Sequence, residues 1–135
     1  MLSAGVNLHG QCGVGEVSSS VDQWTEVRGV QGAVAACAGK LHSAVLTDQR
    51  ELLVFGIEPF GGCEPTLVAS HVTQVSAGAR HLLFLDAAGC AFGWGDNCLG
   101  QLIDGGPSDI DTPTLLLRDC SGVFAFDRVS VLHFT

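Results

Sequence analysis

Ala77-Gly78-Ala79-Arg80-His81-Leu82-Leu83-Phe84-Leu85-Asp86, continued by Cys90-Ala91-Phe92-Gly93-Trp94-Gly95-Asp96-Asn97-Cys98-Leu99-Gly100-Gln101-Leu102, is a segment that the chain carries more than once. Ala38-Gly39-Lys40-Leu41-His42 anticipates its opening, and Leu53-Val54-Phe55-Gly56 anticipates Phe92-Gly93-Trp94-Gly95. The register is constant, because His42 stands as far from His81 as Gly56 does from Gly95. A fixed period of this kind marks a repeat architecture, in which each unit buries its apolar face against its neighbours. Repeat scaffolds mostly bind other molecules.

Within the segment, His81-Leu82-Leu83-Phe84-Leu85 and Cys90-Ala91-Phe92-Gly93-Trp94 are short apolar runs joined by Asp86-Ala87-Ala88-Gly89. Runs of this length around a glycine-closed turn predict a β-hairpin. Val72-Thr73-Gln74-Val75-Ser76 alternates apolar and polar residues and reads as a half-buried strand. In the first copy Arg50 occupies the position of Gly89, so that turn must differ in backbone or carry strain. Helical periodicity is weak, and 18 glycines punctuate the chain too often for long helices.

A second motif follows the hairpin. Gly95-Asp96-Asn97-Cys98-Leu99-Gly100-Gln101-Leu102 repeats Gly5-Val6-Asn7-Leu8-His9-Gly10-Gln11-Cys12, whereas Gly56-Ile57-Glu58-Pro59-Phe60-Gly61 keeps only the glycines. Gly5 to Gly10 has the glycine spacing of a phosphate-binding loop, but Gln11 and Cys12 stand where that loop needs Lys and Ser or Thr. The glycines therefore read as tight turns and close packing.

Together these motifs resemble the repeats of the RCC1 (regulator of chromosome condensation 1) family, from an Ala-Gly-x-x-His opening through Trp-Gly to Gly-x-Asn-x-x-Gly-Gln-Leu. The resemblance implies an all-β fold: a partial RCC1-like β-propeller of two to three four-stranded antiparallel blades. At roughly fifty residues per repeat, 135 residues cannot close a ring of about seven blades. The chain reads as a fragment of a longer propeller, with units near 1–56, 57–95 and 96–135. Further repeats or self-association would then be needed to cover the open blade edges. Phe126-Asp127-Arg128-Val129-Ser130 resembles the start of another copy, with Val129 in the role of Val75.

Gly5, Asn7, Gly10, Gln11, Gly39, His42, Gly56, Gly78, His81, Trp94, Gly95, Asn97, Gly100 and Gln101 are assigned as structural repeat positions. His42 and His81 are repeat mates, which points to hydrogen-bonded structural histidines. His9, His71 and His133 lack both mates and metal-ligand spacing. Trp24 and Trp94 are expected in the core or between blades. Asp104, Asp109 and Asp111 lie in a segment with Gly and Pro but without the order of a calcium-binding loop, and form the candidate interaction loop.

A net charge of −8 leaves six scattered cations, too few for a broad basic face, so no direct nucleic-acid contact is expected. No apolar run reaches bilayer length and no signal peptide is read, which points to a soluble intracellular protein, cytoplasmic or nuclear, with no membrane partner. Six cysteines without tight spacing are expected as free, buried or semi-buried thiols. No catalytic constellation, metal site or cofactor motif is found. The sequence therefore points to a non-enzymatic protein-interaction module that presents loops to a protein partner. A guanine-nucleotide exchange factor for a small GTPase, an activity known in the family, is the second reading.

Overall fold

Alternate side chains of a strand point to opposite faces, so a run such as Leu82-Leu83-Phe84-Leu85 can be buried throughout only if both faces are covered. That is its situation in the computed structural model, which describes residues 1–135. The chain folds as twelve strands and no α-helix, and nothing in it is a helix long and apolar enough to cross a membrane. Strands β1 (Leu2–Val6) and β2 (Ser20–Glu26) form a two-stranded sheet. β3 (Ala33–Ala38), β4 (His42–Thr47), β5 (Leu52–Gly56) and β6 (Gly62–Ala69) form a four-stranded blade. A second blade comprises β7 (Val72–Ala77), β8 (His81–Asp86), β9 (Ala91–Asp96) and β10 (Asp109–Leu117). β11 (Cys120–Phe126) and β12 (Val129–Phe134) form the last pair. All neighbouring strands are antiparallel, and the ring is open.

Leu82 and Phe84 join Ala44, Leu46, Leu52, Val54, Phe60, Val72, Trp94 and Ile110 in the core between the two full blades. Leu83 and Leu85 face the other way, onto Ala91, Cys120 and Val123. Val45 and Phe55 meet Val27 beside β2 in a third, smaller cluster. The two inner strands of each full blade, β4 and β5 or β8 and β9, are thus buried on both faces. Backbone bonds stitch the blades together: Lys40 N–H donates to the Ala79 carbonyl at 2.8 Å, and Ala79 N–H donates to the Asp127 carbonyl at 2.7 Å. At the opposite end, Val72 N–H donates to the Arg50 carbonyl and Cys120 N–H to that of Gly89, at 3.0 and 2.9 Å.

These bonds establish the equivalence of the copies. Lys40, Ala79 and Asp127 are one position, and Val75 pairs with Phe84 as Val123 pairs with Leu132. Val123, not Val129, therefore holds the role of Val75, and the last copy begins earlier in the chain than its sequence suggests. Val129 instead occupies the position of His81. The reason for the difference lies in two substitutions. A Cβ at Gly39 or Gly78 would collide with the ring of His42 or His81, so histidine requires glycine above it. In the last copy Phe126 and Val129 replace that pair together, erasing the Ala-Gly-x-x-His signature.

The glycines used to divide the sequence, Gly56 and Gly95, lie in the third strand of each blade, so units cut there do not coincide with the sheets. β1 and β2 correspond to β9 and β10, the third and fourth strands: Gly5 pairs with Val21 as Gly95 pairs with Ile110. β11 and β12 correspond to β7 and β8, the first and second. Arg50 carries strain rather than altering its turn: its φ of 61° matches the 78° of Gly89. Trp94 is buried, but Trp24, expected in the core or between blades, is 73% exposed on β2, where no blade covers it. Among the free cysteines Cys98 is exposed, contrary to the expectation of burial, because it lies in the β9–β10 loop.

Candidate interaction face

The turns from first to second strand and the loops from third to fourth strand open on the same face. Asparagine organises the longer loops. Asn97 accepts hydrogen bonds from the Leu102 and Ile103 amides at 2.9 Å and donates to the Ile103 and Pro107 carbonyls at 3.0 and 2.8 Å. Asn7 accepts from the Cys12 amide at 3.0 Å and donates to the Glu16 carbonyl at 2.9 Å. Gln101 and Gln11 each accept from the amide two residues back, at 3.0 and 2.9 Å. Both asparagines are buried, so their amides stand in for the loop's missing backbone partners. The β5–β6 connection has Glu58 at this position and shortens to a turn, from which Phe60 enters the core.

Lys40, Ala79, Arg80, Asp96, Cys98, Asp109, Asp127 and Arg128 line a hollow on this face. Three of the six cations therefore meet in one place, and none of the three makes an ion pair; the single salt bridge joins Arg28 to Glu64 at 3.5 Å. Asp96 and Asp109 sit directly opposite each other on β9 and β10. Hydrogen bonds from Cys98 hold the Asp96 carboxyl below the usual range, with Arg80 assisting. The same contact pushes the exposed Cys98 thiol up, so it is not an activated nucleophile.

The histidines lie beneath this surface. His81 shares a hydrogen bond of 3.0 Å with Ser130 Oγ. His42 departs from the expectation of a hydrogen-bonded ring: neither nitrogen has a partner, and the ring stacks on Phe60 at 4.1 Å. Burial, and then the charge of His81, pushes His42 down to about 4. Burial also lowers His81 from the ordinary imidazole range.

Of the candidate loop residues, Asp109 reaches the hollow, and Asp111 lines an adjoining one with Arg80 and Asp96. Asp104 is exposed within the loop. No group of three or more His, Cys, Asp or Glu side chains is placed to hold a metal ion. Sequence reasoning missed Lys40, Arg80 and Arg128 as a group. Their signal was present: Arg80 and Arg128 are repeat mates once Val123 is matched to Val75.

Stacked four-stranded antiparallel blades with loops gathered on one face define a section of a repeat β-propeller. Residues 72–101 match the family model described as the regulator of chromosome condensation (RCC1) repeat, and the chain takes the RCC1 propeller fold. It is similar to human WBSCR16, with 26% identity and a TM-score of 0.74 over 90% of this chain and 35% of that one. It is also similar to Prp20p of Saccharomyces cerevisiae, studied for binding to Gsp1p and histones, with 23% identity and a TM-score of 0.79. That match covers 97% of this chain and 38% of Prp20p. Yeast RCC1 (Prp20), in a structure with Kap60 bound, superimposes equally, at 23% identity and a TM-score of 0.79, over 97% of this chain and 37% of that one. The chain thus spans little more than a third of the length of these relatives.

Proposed function

We propose that this chain supplies part of a non-enzymatic protein-docking face of an RCC1-type propeller. The observation that carries the reading is the hollow in which Lys40, Arg80 and Arg128 lie without ion-pair partners beside Asp96, Asp109 and Asp127. Cations left unpaired at a surface are available to a partner's carboxylates, and mixed charge gives such a contact orientation and specificity. Asp109 lines this hollow and Asp111 the adjoining one. The test is affinity capture with the chain, comparing Arg80→Glu plus Arg128→Glu with Arg50→Glu, whose turn lies at the opposite end of the blades. Partner recovery should fall at least tenfold for the first variant and stay unchanged for the second. The combined Asp104→Ala, Asp109→Ala and Asp111→Ala variant, which leaves the core residue Ile110 in place, should also reduce it. Equal recovery throughout would contradict the reading.

A second reading, guanine-nucleotide exchange on a small GTPase, draws on the likeness to Prp20p and its studied binding to Gsp1p. Acceleration of nucleotide release from a panel of small GTPases would support it; unchanged release at saturating chain would remove it.

A further inference from the structure

We infer that Cys90 and Cys120 form a reversible disulfide, a redox-closed staple between the second blade and the strand pair that follows it. Cys90 stands between the β8–β9 turn and β9, and Cys120 opens β11, so the two belong to neighbouring blades. They meet at the end of the blades opposite the charged hollow, where the turn of one blade bonds the first strand of the next. At the preceding seam the same two positions are Glu51 and Val72, so the cysteine pair is particular to this junction.

The backbone sets their separation. Cys120 N–H donates to the carbonyl of Gly89, the residue before Cys90, at 2.9 Å. That bond and the covalent lengths on either side of it hold the two Cα atoms within about 7 Å. Bond angles shorten this path into the span of about 4.4–6.8 Å that disulfides bridge. Cys90 is also fixed from its own side. Its N–H donates to Asp86 Oδ1 at 2.9 Å, and its carbonyl accepts from Asp86 N–H at 3.0 Å. The link closes a loop that holds β9 and β10, so it restricts the unfolded chain as well as the folded one.

Both sulfurs turn to one residue. Arg118 donates from Nη1 to Cys90 Sγ at 3.5 Å, and Cys120 Sγ donates to the Arg118 carbonyl at 3.7 Å. Both cysteines are free and buried, Cys120 among Leu83, Leu85, Ala91 and Val123. Burial, and then the charges of Asp119 and Cys90, push the Cys120 thiol up. Cys90, with the guanidinium beside it, is therefore the sulfur that reacts first, and Cys120 the one that resolves. With hydrogen peroxide as the oxidant, the Cys90 thiolate attacks one peroxide oxygen and the O–O bond breaks. A sulfenic acid forms and one water leaves. The Cys120 sulfur then attacks Cys90 Sγ and breaks the S–O bond, and the departing hydroxide takes the thiol proton as a second water. Two thiols are oxidised for one peroxide reduced, and a thiol reductant restores both by exchange.

Peptide mass mapping of the 135-residue chain tests this, with remaining thiols alkylated after exposure to hydrogen peroxide. The dose is raised until the exposed Cys98 is itself oxidised, which shows that the oxidant has acted. The monomer should lose two hydrogens, with Cys90 and Cys120 joined in one linked peptide that dithiothreitol separates. Oxidation should also raise the urea midpoint of unfolding, and the reductant should return it. Cys120→Ser should stop at a sulfenic acid on Cys90, captured by dimedone, whereas Cys90→Ser should give no adduct on Cys120. Circular dichroism confirms that each variant is folded, and the linkage in the unaltered chain stands as a test without them. Oxidised Cys98 with Cys90 and Cys120 still free, linkage of either to another cysteine, or an unchanged midpoint would overturn the inference.

Discussion

His42 is neutral in the fold because burial and the neighbouring His81 make its protonation costly. Its folded pKa, about 4, lies below the unfolded value of 6.5. The corresponding stability is therefore fully present above pH 6.5 and is lost as pH falls toward 4, at most about 3 kcal/mol. The urea midpoint should drop between pH 7.5 and pH 4.5, and a His42→Phe variant should lose most of that dependence; identical pH profiles would refute the assignment. The glycine–histidine couple makes a second prediction. Gly78→Ala should destabilise by about 2 kcal/mol or more through collision with His81, and adding His81→Val should recover much of the loss. Additive losses in that cycle would show that the two positions are independent. Arg50→Gly relieves a left-handed residue at an exposed turn and should raise stability by about 0.5–1 kcal/mol in the same denaturation assay.

At the scale of elements, the double burial of β8 distinguishes this fold from a sheet with one wet face. Leu82 and Leu83 point to different cores, and both are fully buried. Leu82→Ala and Leu83→Ala should each cost about 2–5 kcal/mol in chemical denaturation, where a one-sided sheet would show a large loss at only one of them. Most of this architecture was legible in the sequence because the determinants are local. The hairpins follow from apolar runs around turns, and the Asn loops from a side chain that bonds its own loop. What escaped reading depended on neighbours. Phe126 and Val129 concealed the last copy by changing together, and Trp24 looks like a core residue until the uncovered side of β2 is seen. Arg80 and Arg128 could be grouped only after that copy was correctly set.

For the whole molecule, the blades act as a rigid support that brings Lys40, Arg80 and Arg128 from three successive turns into one hollow. Neighbouring turns are held by the backbone bonds from Lys40 to Ala79 and from Ala79 to Asp127, so the backbone positions that carry the charged side chains are fixed relative to one another. Lys40 is the only lysine in the chain, which makes it a natural footprint. The direct measurement is amine acetylation of Lys40, read by mass spectrometry at one fixed chain concentration with and without a captured partner, using the Met1 amine as the reference. The account predicts that the partner slows Lys40 labelling at least fivefold relative to Met1. Unchanged Lys40 labelling while the partner remains bound would contradict a docking face at this hollow.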